Sequence, residues 1–359
     1  MLEVIDLYKS YLPEGEKVIS GCGTSIMEKR GEVDMLNEHN AVNHISFYLQ
    51  KGEILSILGE NGSGKSTLLK LLAGLLEKDG GKILFQKKEV TGPSKNLVPS
   101  HPEIKLIHQN FNLFPNISLE ENIRYALRFE PLELQNKTLN ELIELSHLEE
   151  IKDKLPRQVS GGEQQRTAIA TALAYNAKLI LLDEPFSNLD VFNKRQLKKH
   201  ILKIARKKKV GIIFVTHDAS DALSVSDRIL VIKNGSILQT GTPSEIYHHP
   251  KNPYVASISG DVNIFNHHHL TAFNYEWANR GFKRNQKFAL RPEHIRISET
   301  REGLKGVVRN IYYQGAFSIV KAEIKKGFEI SFYDYQTLYK EDEEVYLNFD
   351  PDSLIVLNQ

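Results

Sequence analysis

Cysteine is almost missing from this chain: among 359 residues only Cys22 carries a thiol. A lone thiol excludes an internal disulfide and, without partners at ligand spacing, a structural zinc site, so the chain fits a reducing compartment, most simply the cytosol. Charge imbalance is missing as well. Lys and Arg number 46 against 45 Asp and Glu, a formal net charge of +1, which gives no global pull toward nucleic acid or a membrane, so any partner is recognised locally. Long apolar runs are also lacking. Stretches such as 180–182 and 211–215 are far too short to cross a bilayer, and Met1-Leu2-Glu3 opens directly into a strand-like segment with no basic-then-apolar leader. Any membrane role is expected to be borrowed from partner chains.

What is present is the composition of a folded protein, 41% hydrophobic and 25% charged, at a length that suits one large domain plus a small one. Leu2–Tyr11 and residues 41–49 read as strands, and a Lys51-Gly52-Glu53 turn leads into the buried-strand run Ile54–Leu58. The intervening residues, about 12–40, are polar and lack periodicity, so they read as a long mobile loop insertion with no assigned function. Leucines at 68, 69, 71, 72, 75 and 76 predict a helix over 66–76 that ends near Gly80-Gly81. Residues 118–155 alternate charge and leucine at helical spacing. Beyond Gly162 helices alternate with short apolar strands at 179–182 and 211–215, with a helix over Val191–Lys208 between them and a strand pair around 228–239. After a turn-rich stretch, 251–262, the texture shifts to short alternating strands at 288–290, 306–313, 317–324 and 344–348, read as a small β-barrel. The expected division is 1–250, a linker over 251–262, and an accessory domain over 263–359.

Gly59-Glu60-Asn61-Gly62-Ser63-Gly64-Lys65-Ser66-Thr67 fits G-x-x-x-x-G-K-[ST] between an apolar strand and an apolar helix, the context this phosphate-binding loop needs. Glycines let successive backbone N–H groups converge on phosphate oxygens, and the next helix presents the positive end of its dipole. Lys65 adds charge at the β and γ phosphates, and the Ser66 hydroxyl is suited to hold Mg²⁺. A second apolar strand ends in Asp183-Glu184. Asp183 is placed to support the metal, and Glu184 to polarise a water for attack on the γ phosphate, against the blander reading of a solvated carboxylate.

Between these motifs, Val159-Ser160-Gly161-Gly162-Glu163-Gln164-Gln165-Arg166 resembles the signature sequence of ABC ATPases. Ser160 with Glu163 is also a capping box opening an ordinary helix, and both readings hold together. Glu163 departs from the Gln that many relatives carry. The resemblance implies that Ser160, Gly161, Gly162 and Glu163 of one subunit meet the γ phosphate bound by another, so that dimerisation completes each site. It extends to Gln109, similar to a Q-loop glutamine and a further metal contact, to the D-loop Ser187-Asn188-Leu189-Asp190, to a switch histidine at His217, and to Tyr11 as the aromatic stacked on adenine, with Tyr8 as the fallback. Residues 289–295, ALRPEHI, resemble the start of the TOBE barrel of importer ATPases.

The implied fold is an α/β P-loop NTPase, with an antiparallel β subdomain and a helical subdomain, followed by a small OB/TOBE-like β-barrel. The implied function is ATP hydrolysis, with ATP and Mg²⁺, by a dimer of identical or closely related subunits beneath separate membrane permeases, indirectly served by a solute-binding protein. That places the chain on the cytoplasmic face of the membrane. The maltose, polyamine, ferric-iron, sulfate and molybdate importers share this architecture, with ferric iron or a polyamine as the expected solute. A rival ABC ATPase acting on ribosomes or DNA is disfavoured by the missing tandem cassettes, coiled coils and zinc cysteines, and a purely regulatory nucleotide sensor by the complete set of catalytic positions. The basic run 194–209 reads as the solvated face of a helix, and the histidines at 248–249 and 267–269 lack fixed ligand geometry.

Overall fold

The computed structural model describes residues 1–11, 26–29, 32–35, 39–95, 100–187, 189–269, 283, 285–325, 327–336 and 339–357. The chain divides into two compact units, Met1–Pro243 and Ser244–Gln359.

The first unit is built on two sheets. One is antiparallel, in the order β4-β1-β6-β7, from β1 (Leu2–Tyr11), β4 (His39–Leu49), β6 (Gly80–Phe85) and β7 (Lys88–Glu89). The other runs β12-β11-β5-β10-β9-β8, from β5 (Ile54–Leu58), β8 (Ile104–Ile107), β9 (Leu179–Asp183), β10 (Gly211–Thr216), β11 (Arg228–Lys233) and β12 (Ser236–Gly241). It is parallel throughout except for the β11–β12 hairpin. Strands covered on both faces read as continuous apolar runs, and alternation then decides which core each side chain enters. Leu179 and Leu181 join a core shared with the antiparallel sheet and with α1 (Lys65–Leu72), while Ile180 and Leu182 face α4 (Gly161–Ala174) and α5 (Val191–Lys208).

Helix α1 is shorter than its leucine pattern predicts. It ends at Ala73, because Gly74 turns left-handed at φ 71° and reverses the chain, so that Leu75 and Leu76 pack against the core from outside the helix. The predicted helical stretch 118–155 holds α2 (Leu119–Ala126) and α3 (Leu132–Ser146), which pack with Ala170 of α4 around a separate small core. Part of the expected loop over 12–40 is also regular. Ile26–Lys29 (β2) pairs antiparallel with Glu32–Met35 (β3), and β4 already begins at His39, opposite Tyr11; the remainder, with its expected mobility, lies outside the described residues. The basic run after 190 is not simply solvated, since Lys194 and Lys198 both pair with the buried Asp221 of α6 (Ala219–Val225), at 2.7 and 3.0 Å.

The second unit opens with α7 (Pro243–His248) and α8 (Pro253–Ile258), followed by two antiparallel sheets that share one core. The smaller sheet is β13 (Asn263–Asn266), β14 (Lys287–Leu290) and β20 (Ile355–Leu357). The larger runs β15-β19-β16-β17-β18, from β15 (Ile295–Ile297), β16 (Leu304–Tyr313), β17 (Ser318–Lys325), β18 (Phe328–Asp334) and β19 (Glu344–Phe349). Arg291 is its buried knot. The guanidinium donates to the carbonyls of Tyr247, Ala256, Gly260 and Asp261 and to Ser259 Oγ, at 2.8–3.1 Å. Both terminal nitrogens are satisfied in this way, while Nε has no partner among the described residues; a buried cation is tolerated only when most of its donors are bonded.

Candidate functional site

The register of the parallel sheet assembles the site. Leu58 pairs with Thr216, Asp183 with Val215, and Leu182 with Ile107, so four neighbouring strands reach their carboxyl ends together. Just beyond those ends stand the phosphate loop after β5, His217 after β10, Glu184 after β9 and Gln109 after β8. This is the edge of an open α/β sheet where ligands are bound.

The loop Gly59–Lys65 is held in shape from outside. Gly59 N–H donates to the Thr216 carbonyl and Gly235 N–H to the Ser63 carbonyl. Gly64, at φ 97°, lies so close to the Ala41 carbonyl that a Cβ there would approach it to 1.9 Å. Gly62, at φ 81°, stands at the open loop tip beside the exposed Asn61. Gly64 is the N-cap of α1 and offers no side-chain acceptor, so the first-turn N–H groups of α1 remain available to an external anion. The Ser63 hydroxyl is buried without a partner among the described residues, and Thr67 lies half-buried in that first turn. These features fit a phosphate chain.

Lys65 Nζ donates to the carbonyls of Gly59 and Glu60, both at 2.8 Å. Burial lowers the pKa of the ammonium from its ordinary value, while Glu184, Asp183 and Glu60, in that order, oppose the shift. Ser66 Oγ donates to Asp183 Oδ1 at 3.1 Å, a hydroxyl and a carboxylate side by side that suit a hard divalent cation such as Mg²⁺.

Glu184 is the hub. Its Oε1 lies 3.1 Å from His217 Nδ1 and its Oε2 accepts from Gln109 Nε2 at 3.4 Å. The backbone there is left-handed, φ 46°, an unfavourable conformation for a glutamate, and Ser187 N–H and Oγ both donate to its carbonyl. The chain therefore gathers Lys65, Ser66, Asp183, Glu184, Gln109 and His217 into one constellation, in which a carboxylate oriented by an imidazole and an amide can polarise a water.

The other predicted residues stand elsewhere in the chain's own hydrogen bonding. Ser160 caps α4, and the Glu163 carboxylate turns back to accept through Oε2 from Ser160 N–H and Oγ at 2.7 and 2.8 Å, so that oxygen is committed to the cap. Gly161 lies against Leu189, and a Cβ on Gly162 would press on Asn193 at 3.2 Å, which sets this segment beside the start of α5. Asp190 caps α5 through Asn193; those hydrogen bonds lower the pKa of its carboxyl. Asn188 lies outside the described residues. Tyr11 ends β1 with its ring 43% exposed and Lys9 Nζ 5.6 Å away, whereas the fallback Tyr8 is stacked on His44. The supporting roles of Ala41 and Gly235 went unread, although the Asn234-Gly235 turn signal marks the second.

Comparison with known proteins adds three findings. Residues 42–187 match the family described as ABC transporter, and residues 288–357 the family described as TOBE domain. The spermidine/putrescine import ATP-binding protein PotA of Borrelia garinii subsp. bavariensis is 34% identical over 90% of this chain and 95% of its own length, and the sulfate/thiosulfate import ATP-binding protein CysA of Halalkalibacterium halodurans is 33% identical over 81% and 85%. Among solved structures, cbiO1 from Clostridium perfringens, part of an ABC transporter complex, aligns at TM-score 0.57 and 25% identity over 69% of this chain and 90% of its own. A dimeric post-hydrolysis ATP-binding cassette bound to ADP and Pi aligns at TM-score 0.52 and 26% identity over 68% and 99%.

Proposed function

We propose a function from the premise that this chain belongs to the ABC transporter family, as an importer ATP-binding subunit with a C-terminal TOBE domain: it powers uptake of a polyamine by separate membrane-spanning subunits. The solute is inferred from the similarity to PotA, which covers 90% of the chain. Catalysis is assigned to residues 1–250 and an accessory role to 263–359.

The observation that carries the mechanism is the constellation around Glu184. The phosphate loop, Gly59 through Thr67, binds the phosphates through its N–H groups, and Lys65 leaves the loop carbonyls to neutralise the β and γ oxygens. Ser66, Asp183 and Gln109 would hold Mg²⁺, which would supply positive charge to offset the repulsion met by an incoming nucleophile. Glu184 accepts a proton from water, and His217 and Gln109 fix the direction of its carboxylate. Tyr11 stacks on adenine. A second copy contributes Ser160, Gly161, Gly162, Glu163 and Asp190 to the far side of the nucleotide, so hydrolysis requires a dimer, and closure of that dimer drives the permease between its two states at the cytoplasmic face of the membrane.

The test is reconstitution with the membrane subunits and the solute-binding protein recovered with the tagged chain from native membranes. Spermidine or putrescine uptake that requires ATP and this subunit is the expected result. Uptake of a different solute overturns the polyamine assignment, and recovery with ribosomes or DNA in place of permeases overturns the import reading.

A further inference from the structure

A cavity of about 440 Å³ opens between α4, α5 and the end of α3, apart from the constellation around Glu184. Its lining is rich in basic side chains, Arg166 from α4 and Lys199 and Lys203 from α5, beside the rings of His147 and His200. Such a concentration of positive charge is costly unless something answers it. The one carboxylate on the wall, Glu163, accepts from Ser160 N–H and Oγ through Oε2 and its charge acts on Arg166, so a single carboxylate stands against three basic side chains. Lys199 makes no ion pair or hydrogen bond among the described residues, and Lys203 Nζ meets only His147 Nε2, at 3.1 Å. Arg166 donates its Nε to the Ser146 carbonyl, and its two terminal nitrogens make no hydrogen bond among the described residues.

The lining also holds a buried group that is weakly bonded. His200 is 2% exposed, and among the described residues its ring nitrogens have no well-formed hydrogen bond, only the Leu145 carbonyl standing near enough to favour the protonated ring. Burial, then the charges of Arg166, His147 and Lys203, push its pKa down to about 3, so the ring is neutral and offers one N–H donor and one acceptor. Buried polar groups short of partners are rare in native proteins, and here one lies in the wall of a cavity that three donor-only side chains, Arg166, Lys199 and Lys203, also line.

We propose that this cavity is a binding site for a small phosphate-bearing anion, gripped by Arg166, Lys199 and Lys203 and completed by the His200 ring. Its size suits a small metabolite. A guanidinium fork with two ammonium groups matches the several oxygens and double charge of a phosphate. The anion bridges the helix that begins at Ser160 to the helix capped by Asp190, so its occupancy fixes the relative placement of two segments that the proposed dimer brings to the nucleotide. The site is therefore regulatory, and it exists in the chain whatever solute is transported.

The probe is pyrophosphate, measured by equilibrium dialysis on the full-length chain carrying Lys65→Ala, which disables the phosphate loop as a competing site. Wild-type chain saturated with a non-hydrolysable ATP analogue serves as the parallel preparation if that variant does not fold. One saturable site per chain is expected, weakened about tenfold or more by Lys199→Ala with Lys203→Ala and restored by the paired Arg substitutions. Both lysines lie outside the catalytic constellation, so ATP turnover without pyrophosphate should match wild type in the double variant, and pyrophosphate should change turnover only in the parent. Absence of saturable binding at millimolar pyrophosphate, or equal affinity in the double variant, overturns the proposal.

Discussion

Glu184→Gln isolates the proton-accepting role from every other property of the site. The substitution preserves shape, and glutamine tolerates φ 46° no worse than glutamate does. One acceptor oxygen remains for His217 Nδ1 or Gln109 Nε2, so a single hydrogen bond to a carboxylate is lost, from a side chain only 19% exposed. That costs roughly 1–2 kcal/mol of stability, a melting shift of only a few degrees in a unit of this size. Catalysis has much more to lose. Removing a positioned general base slows proton transfer by ~10²–10⁴-fold, or ~2.7–5.5 kcal/mol on the barrier. ATP affinity should hold or rise, because a negative charge near the phosphates disappears while Lys65 remains. Single-turnover hydrolysis of radiolabelled ATP, with gel filtration of the nucleotide-bound species, reads both quantities. The expected result is a long-lived ATP-bound dimer. Turnover above about a tenth of wild type would remove Glu184 from the base role, and loss of ATP binding would show that the substitution had damaged the cradle instead.

Gly64→Ala sets a Cβ 1.9 Å from the Ala41 carbonyl on a backbone at φ 97°, so ATP binding, followed with a fluorescent analogue, should fall by at least ~100-fold while the second unit melts unchanged. Arg291→Met leaves four carbonyls and Ser259 Oγ without their donor, a loss of about 3–5 kcal/mol confined to residues 244–359, visible as earlier proteolysis there with ATP binding retained. Glu120, in the first turn of α2, is held below the usual carboxylate range by hydrogen bonds from Lys152 and then Arg124. A depressed pKa contributes stability above the ordinary carboxylate range and loses it as pH falls through the depressed value, so the melting difference between wild type and Glu120→Gln should be steady at neutral pH and close in acid; a gap that widened on acidification would refute this.

Much of this fold was legible because its strands and loops announce themselves chemically. The phosphate loop, the apolar run ending in Asp183-Glu184 and Val191–Lys208 were each readable from spacing alone, since each states its own geometry within a few residues. Contacts between distant segments were not. Nothing near Lys194 foretells Asp221 as its partner, and nothing near Gly64 foretells Ala41, because these pairings arise from the order in which strands join the sheet. Helix α1 was overrun for a related reason: Leu75 and Leu76 continue the apolar spacing, yet they reach the core around a reversal at Gly74, and apolar spacing cannot distinguish the two routes. The Ser160–Glu163 pair was readable as a cap from its spacing, and within the chain the Glu163 carboxylate turns to that cap.

The bond from Gly235 N–H to the Ser63 carbonyl also sets a timetable for synthesis. The loop proposed to cradle phosphate is complete once position 67 has been translated, but the β11–β12 turn that braces it lies some 170 residues later in the chain. On the ribosome, a nascent chain therefore carries a finished motif without a finished cradle for nearly half of its elongation, and should gain affinity for ATP only after the hairpin emerges. Nucleotide capture then serves as a late checkpoint on the newborn chain, reporting that strands encoded far apart have found their places.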